Sequence, residues 1–147
     1  MKTIIVYASV HHKNTEKLVK QIQERFDVDV VDITANDHTD FTKYDTIGFA
    51  SGIYFNEMHP KIMEILHQQK FRKGQKVFLL YTCGIPYRNY AKSAKKLLEE
   101  KGANCLGVYW CRGYDTYGVL KKLGGIAKGH PNETDIQRAL EFVRQYL

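Results

Sequence analysis

Glycine is missing from the stretch where a nucleotide-binding chain of this pattern would most need it. Between the apolar run Ile4-Ile5-Val6-Tyr7 and the helical spacing of Leu18, Val19, Ile22 and Phe26 lies Ser9-Val10-His11-His12-Lys13-Asn14-Thr15, with no glycine at all. The turn is therefore neither a Rossmann G-x-G-x-x-G nor a Walker A sequence, and both nucleotide classes lose their main support. Cysteine is also scarce. Cys83, Cys105 and Cys111 are odd in number and lack metal-ligand spacing, which excludes a disulfide framework and a zinc site. No stretch reaches the roughly 18 to 20 apolar residues of a membrane span. The first apolar run is strand-length and followed by charge, so no leader is expected and a reducing cytoplasm is the expected setting. Repeats, linkers and low-complexity segments are absent too, and residues 1–147 read as one domain with a core of ordinary size.

Acidic residues are sparse in one half of the chain. Residues 70–128 hold 13 Lys or Arg against Glu99, Glu100 and Asp115 alone, within a formal net charge of +6. Such asymmetry suggests an acidic partner or an anionic ligand near the second half. It is equally what a solvated basic helix carrying Lys92, Lys95, Lys96 and Lys101 would show. No recognised nucleic-acid-binding motif accompanies the charge, so no nucleic-acid partner is expected.

What is present is a repeating strand and helix pattern. Ile4 to Tyr7 lacks alternation, as a strand covered on both faces does. Asp27 to Ile33 alternates at first, which suits a sheet edge. Tyr44 to Gly52 reads as a third strand ending at Gly52, with Ile53-Tyr54-Phe55-Asn56 as an exposed aromatic loop. A helix follows from Pro60, whose fixed φ suits a first turn, and Gly74 is expected to close it. Lys76 to Cys83 is a fourth strand, residues 89–101 a helix ended by Gly102, Cys105 to Cys111 a fifth strand, and residues 133–147 a last helix. Residues 34–43 read as a polar connection, and the glycine-rich 112–131 stretch has no assignment. The alternation predicts an α/β doubly wound, five-stranded parallel sheet.

In such a sheet, ligands bind beyond the carboxyl ends of the strands. The first turn offers hydroxyl, amide and imidazole donors at Ser9, His11, His12, Asn14 and Thr15, with Lys13 adding charge. A strand turning sharply into a helix also leaves backbone N–H groups free for an anion, most often a phosphate. An ordinary helix N-cap at Asn14 or Thr15 would account for the same residues. Two further loops fall on that edge, around Gly52-Ile53-Tyr54 and around Thr82-Cys83-Gly84 with Tyr87.

Taken together, these three stretches resemble the flavodoxin family over the whole chain. Ser9 to Lys17 resembles its phosphate loop, Tyr44 to Gly52 its third strand and first flavin loop, and Lys76 to Gly84 its fourth strand and second flavin loop. The resemblance implies strand order 2-1-3-4-5 and non-covalent FMN. It further implies a phosphate held by Ser9, His11, His12, Lys13, Asn14 and Thr15, and a flavin ring among Gly52, Ile53, Tyr54, Thr82, Cys83, Gly84 and Tyr87. Tyr54 and Tyr87 are the candidates to stack on the ring, with Phe55 or Tyr90 as substitutes, and Gly52 or Gly84 would supply close approach, a positive-φ turn or, at Gly52, a flipping peptide. Two departures stand out: the phosphate loop is one residue longer, with Lys13 where glycine is usual, and the second half is basic where electron-carrying flavodoxins are acidic.

Three functions follow as expectations. One is an FMN-dependent electron carrier between redox partner proteins. Another is a small FMN oxidoreductase acting on a quinone or other organic substrate, with 112–131 walling its pocket. The last is a flavin-free binding module that has lost its cofactor. A receiver domain is excluded by Ser9 and Ser51-Gly52 where acids would stand, and a cysteine phosphatase by the short spacing from Cys83 to Arg88. Cys83 and Cys111, ending neighbouring strands, read either as a redox pair or as core residues, and Arg112 either meets an anion or faces water.

Overall fold

In the computed structural model, which describes residues 2–10, 12–36, 39–116 and 123–147, the strands predicted from the apolar runs form one parallel sheet. Elements in chain order are β1 (Thr3–Ala8), α1 (Asn14–Arg25), β2 (Asp29–Asp32), β3 (Thr46–Tyr54), β4 (Glu57–Met58), α2 (Pro60–Gln68), β5 (Lys76–Cys83), α3 (Lys92–Glu100), β6 (Asn104–Arg112) and α4 (Glu133–Arg144). The sheet order is β2-β1-β3-β5-β6, the expected 2-1-3-4-5 arrangement once the two-residue β4 is set aside. β4 pairs antiparallel with the end of β3.

Burial on both faces explains the unbroken apolar runs. Ile4, Val6 and Ala8 of β1 pack with Ile62, Leu66, Ala94 and Leu98 on the side of α2 and α3. Ile5 and Tyr7 pack with Leu18, Ile22, Leu140 and Val143 on the side of α1 and α4. Burying each such side chain contributes roughly 1.5 to 3 kcal/mol, so both layers hold the sheet. One glycine is required by packing. A Cβ at Gly48 would overlap the Phe78 ring, which crosses the neighbouring strand at that point.

Several boundaries differ from the sequence reading, each for a local reason. β3 does not stop at Gly52. It continues to Tyr54, turns through Phe55 and Asn56 at φ 51° and 68°, and returns as β4, a tight hairpin whose two turn residues both take positive φ. Gly52 is thus a strand residue in register with Thr82 and carries no positive φ. α2 ends at Gln68 and not near Gly74, because Gln69 is extended; Gly74 serves a later turn at φ 71°. α3 begins at Lys92, since the Asn89 side chain accepts from the Ala91 N–H and holds residues 89–91 in a turn.

Candidate functional site

Because β1, β3, β5 and β6 are parallel, their carboxyl ends share one edge of the sheet, and a cavity opens there. It measures about 460 Å³, within the range usual for small-molecule sites. Of the residues predicted from sequence, Ser9, Asn14, Thr15, Gly52, Ile53, Tyr54, Thr82, Cys83, Gly84 and Tyr87 line it together. Phe55 and Tyr90 line it as well. His12 and Lys13 do not, and His11 lies outside the described residues.

The first turn reaches the helix without glycine by placing two consecutive residues in the left-handed region. His12 has φ 53° and Lys13 φ 54°. Lys13 is the N-cap of α1 and makes no capping bond through its side chain, so the ordinary N-cap at Asn14 or Thr15 is not what these residues form. Their side chains are committed elsewhere: Asn14 Nδ2 donates to the Tyr114 carbonyl at 2.9 Å, and Thr15 Oγ1 meets Thr82 Oγ1 at 2.9 Å in a buried contact. Ser9 Oγ accepts from the Glu16 N–H at 3.1 Å. Among the described residues, the N–H groups of Lys13, Asn14 and Thr15 have no acceptor. They sit at the positive end of the α1 dipole. The contrast with α4 is sharp, where Asn132 and Asp135 close a full capping box.

The imidazole of His12 is turned away from the cavity, 2.8 Å from Thr116 Oγ1 and with its ring 4.4 Å from that of Tyr114. Lys13 Nζ curls back to the Ser9 carbonyl at 3.3 Å. Both side chains therefore brace the turn from outside.

Two aromatic residues stand on different walls of the cavity. Tyr54 accepts from the Val10 N–H through its hydroxyl at 3.3 Å and rests edge-on against His59, ring centroids 4.9 Å apart. His59 caps α2, its Nδ1 accepting from the Lys61 N–H at 3.0 Å; burial first, and then the Lys61 charge, push its pKa below the usual histidine range. Tyr87 is 61% exposed and donates to Asn56 Oδ1 at 2.8 Å, joining the loop after β5 to the hairpin tip. Tyr90 is buried beneath it and donates to the Ile85 carbonyl at 2.6 Å.

The segment after β6 supplies a further wall, at the start of the stretch 112–131. Gly113, Tyr114 and Asp115 line the cavity, and Asp115 bridges to Ile126. A Cβ on Gly84 would overlap the Asp115 carboxylate, and a Cβ on Gly113 would overlap the Asn14 amide, so both glycines are there for close approach. Gly113, Tyr114 and Asp115 fall within the 112–131 stretch expected to wall a pocket, although the carboxyl-edge rule points only to the loops after the first, third and fourth strands and singles out none of the three. Residues 117–122, part of the unassigned stretch, lie outside the described residues.

Arg112, half-buried, ties two segments of the chain together. Its Nε and Nη2 both donate to the Gly84 carbonyl, at 3.0 and 2.8 Å. Cys83 and Cys111 do not form a redox pair, since Cys83 packs with the α2 and α3 layer and Cys111 with the α1 and α4 layer, on opposite faces of the sheet. Burial pushes the thiol of Cys83 up to about 11 and that of Cys111 to about 12, which leaves both unreactive near neutral pH.

Comparison with known proteins agrees with the fold. A family model described as a flavodoxin domain matches residues 4–123. An uncharacterized protein of Methanocaldococcus jannaschii is 40% identical, the alignment covering 100% of this chain and 99% of that protein. Among solved structures, the rubredoxin:oxygen oxidoreductase of Desulfovibrio gigas superposes with a TM-score of 0.72 at 18% identity, over 97% of this chain and 34% of that one. The chain thus spans about a third of the length of that oxidoreductase. A K13G variant of a Fusobacterium nucleatum flavodoxin, bound to flavin mononucleotide, superposes at 0.67 and 16% identity, over 98% of this chain and 94% of its own.

Proposed function

The chain belongs to the flavodoxin family, and from that premise we propose that residues 1–147 form a single domain that holds FMN non-covalently in the cavity at the carboxyl edge of the sheet and passes electrons between protein partners. The observation that carries the reading is the trio of N–H groups at Lys13, Asn14 and Thr15, which point from the start of α1 with no acceptor among the described residues. Three such donors at a helix N-terminus suit a phosphate monoester. The FMN-bound flavodoxin named above supports the choice of cofactor.

Chemical fit follows from the chain's own groups. The turn residues Ser9 to Thr15 would take the phosphate, chiefly through backbone. Tyr54 and Tyr87 would flank the ring, each contributing about 0.5 to 1.5 kcal/mol beyond area burial in an aromatic-pair geometry. Gly52, Ile53, Thr82, Cys83 and Gly84 bring backbone up to its edge. When bound, the flavin supplies one- and two-electron redox chemistry. The protein's part is to seat the ring, shield one side from water and leave the other near the surface, where Tyr87 is exposed. No helix among the described residues is long and apolar enough to cross a membrane. Three free cysteines suit a reducing cytoplasm.

A second reading is favoured by the wall of Gly113, Tyr114 and Asp115. That wall would suit a small FMN oxidoreductase whose organic substrate, such as a quinone, stacks between it and the ring. Steady turnover of a quinone with NAD(P)H identifies the enzyme; reduction by a soluble dye alone, followed by transfer to a ferredoxin-type protein, identifies the carrier.

The direct test is an absorbance and melting titration with FMN and with riboflavin. Saturating FMN is expected to raise Tm and to move the amide signals of residues 12–16. FMN is expected to bind far more tightly than riboflavin, because the phosphate is the group that the free N–H donors would hold. An FMN titration that leaves both observables still rejects the flavin assignment.

A further inference from the structure

The charge pattern of the helices splits the molecule into two unlike halves. α1 and α4 follow the ordinary rule, with Glu16, and then Glu133 and Asp135, in their first turns and Arg25 and Arg144 in their last. α3 reverses it, and α2 follows it only at its far end, where His67 stands in the last turn. Neither has an acid in its first turn; Lys61 stands at the second position of α2, and Lys92 opens α3 with Lys95 and Lys96 close behind. The acids of α3, Glu99 and Glu100, are at its far end. This arrangement opposes the helix dipole and sets Lys92 against Lys96 at i,i+4, so it costs stability and brings no intramolecular partner among the described residues.

Topology puts these charges at the mouth of the cavity. Helices that return from a parallel strand begin where the strand ends: α2 starts where the His59 N–H donates to Ser51 Oγ at the end of β3, and α3 starts two residues after cavity-lining Tyr90. Between them protrudes an apolar rim, Phe55 at 89% exposure, Ile85 at 49% and Tyr87 at 61%. The Arg88 guanidinium lies 5.1 Å over the Tyr87 ring. Glu57, exposed on the hairpin, is the acid closest in sequence to that rim. Lys61, Arg88, Lys92 and Lys96 outnumber Glu57 and the cavity-lining Asp115 around that rim, and an apolar centre with a charged border is how a transient protein interface is built.

We propose that Phe55, Ile85 and Tyr87, bordered by Lys61, Arg88, Lys92 and Lys96, form the docking surface for an acidic redox protein. The proposal rests on the electron-carrier reading above and names its partner by charge. Two lysine-bearing helix N-termini add their dipoles to the lysines' own charge, so the field at this rim is positive and steers an acidic surface onto the cavity mouth. On the α1 and α4 side of the same edge, Glu16, Glu133 and Asp135 set acids among the cations Lys13 and Lys17.

The test uses the 15N-labelled chain, with and without FMN, titrated with an acidic [2Fe–2S] ferredoxin and separately with basic cytochrome c. Expected are amide shifts at residues 55, 85, 87 and 92 with the ferredoxin, weakening steeply as salt rises. The triple variant K61E/K92E/K96E is expected to weaken ferredoxin binding on the order of tenfold or more. Acids at positions 61 and 92 complement the two helix starts while Glu99 and Glu100 oppose the one at 96, so Tm is expected to stay near that of the natural chain, and a loss of binding is then not a loss of fold. Cytochrome c is expected to favour the variant over the natural chain. Ferredoxin shifts on the α1 and α4 side, binding unchanged in the triple variant, or a single-stranded RNA probe binding this rim where ferredoxin does not, each overturns the proposal. Since the shifts are read on the flavin-free chain as well, a failure to bind FMN condemns the carrier reading without deciding the docking surface.

Discussion

The Arg112 guanidinium donates twice to the carbonyl of Gly84, across the boundary between β6 and the loop after β5. A residue that sequence leaves facing an anion or solvent instead ties the second ring-facing loop to the edge strand, alongside the Gly113 N–H that donates to the Cys83 carbonyl at 2.9 Å. Hydrogen bonds from a charged donor contribute about 1.5 to 3 kcal/mol. Arg112→Gln is therefore expected to lower stability by about that amount, read by urea unfolding. Arg112→Lys, which keeps one donor and the charge, should recover part of it; full stability in the glutamine variant would show the tether to be idle.

At Lys13, φ 54° places a side chain where glycine is at ease and other residues are strained by about 1 kcal/mol. Lys13→Gly is expected to raise stability by about 0.5 to 1 kcal/mol, and Lys13→Ala, which keeps the strained Cβ and loses the contact to the Ser9 carbonyl, is expected not to. Paired thermal melts decide it. The same pair separates strain from charge in ligand binding, because both variants remove the ammonium group and only one relaxes the turn.

Much of this fold was legible, for reasons that differ by element. β1, β3 and β5 declare themselves because both faces are buried, which forces unbroken runs such as Val77-Phe78-Leu79-Leu80. The carboxyl-edge rule then locates the cavity without any motif. The hairpin at Phe55 and Asn56 was not legible: Asn56 suits a positive φ, but the first turn position holds a phenylalanine, which carries no such signal. Nor was the role of His12 or Lys13: identity marked them as ligand donors, whereas the direction of a side chain in a left-handed turn turned both outward. The tether from Arg112 to Gly84 was not legible for a related reason, as sequence shows a charge but not the carbonyl that faces it.

His59 gives the protein an acid-sensitive helix start. Its Nδ1 must be unprotonated to accept from the Lys61 N–H, and burial together with the Lys61 charge holds its folded pKa below the ordinary 6.5. The unfolded chain then binds the proton more readily than the folded one. The stabilising contribution is accordingly full above about pH 6.5 and is lost as pH falls through the folded value. The expected result is a Tm that drops between pH 7 and pH 5 by more in the natural chain than in His59→Asn, whose side chain caps without titrating. Parallel pH profiles for the two proteins would remove histidine from the cap's energetics.

Beneath the first turn, Thr15 and Thr82 share one buried hydrogen bond, hydroxyl to hydroxyl at 2.9 Å, with the two residues 1% and 3% exposed. Removing one partner leaves the other hydroxyl buried and unpaired, at a cost of about 1 to 3 kcal/mol; removing both leaves an apolar contact of similar shape. Thr15→Val and Thr82→Val are each expected to destabilise by that amount, and the double variant by clearly less than their sum. The cycle also has a functional reading. This pair fixes the start of α1 against the end of β5, so it sets the position of the free N–H groups relative to the loop that carries Cys83 and Gly84. If packing alone holds the two elements together, the double variant should keep its FMN affinity while each single variant loses some. If the hydroxyl pair itself sets their separation, all three variants should weaken FMN, and riboflavin much less, because the displaced donors are those facing the phosphate.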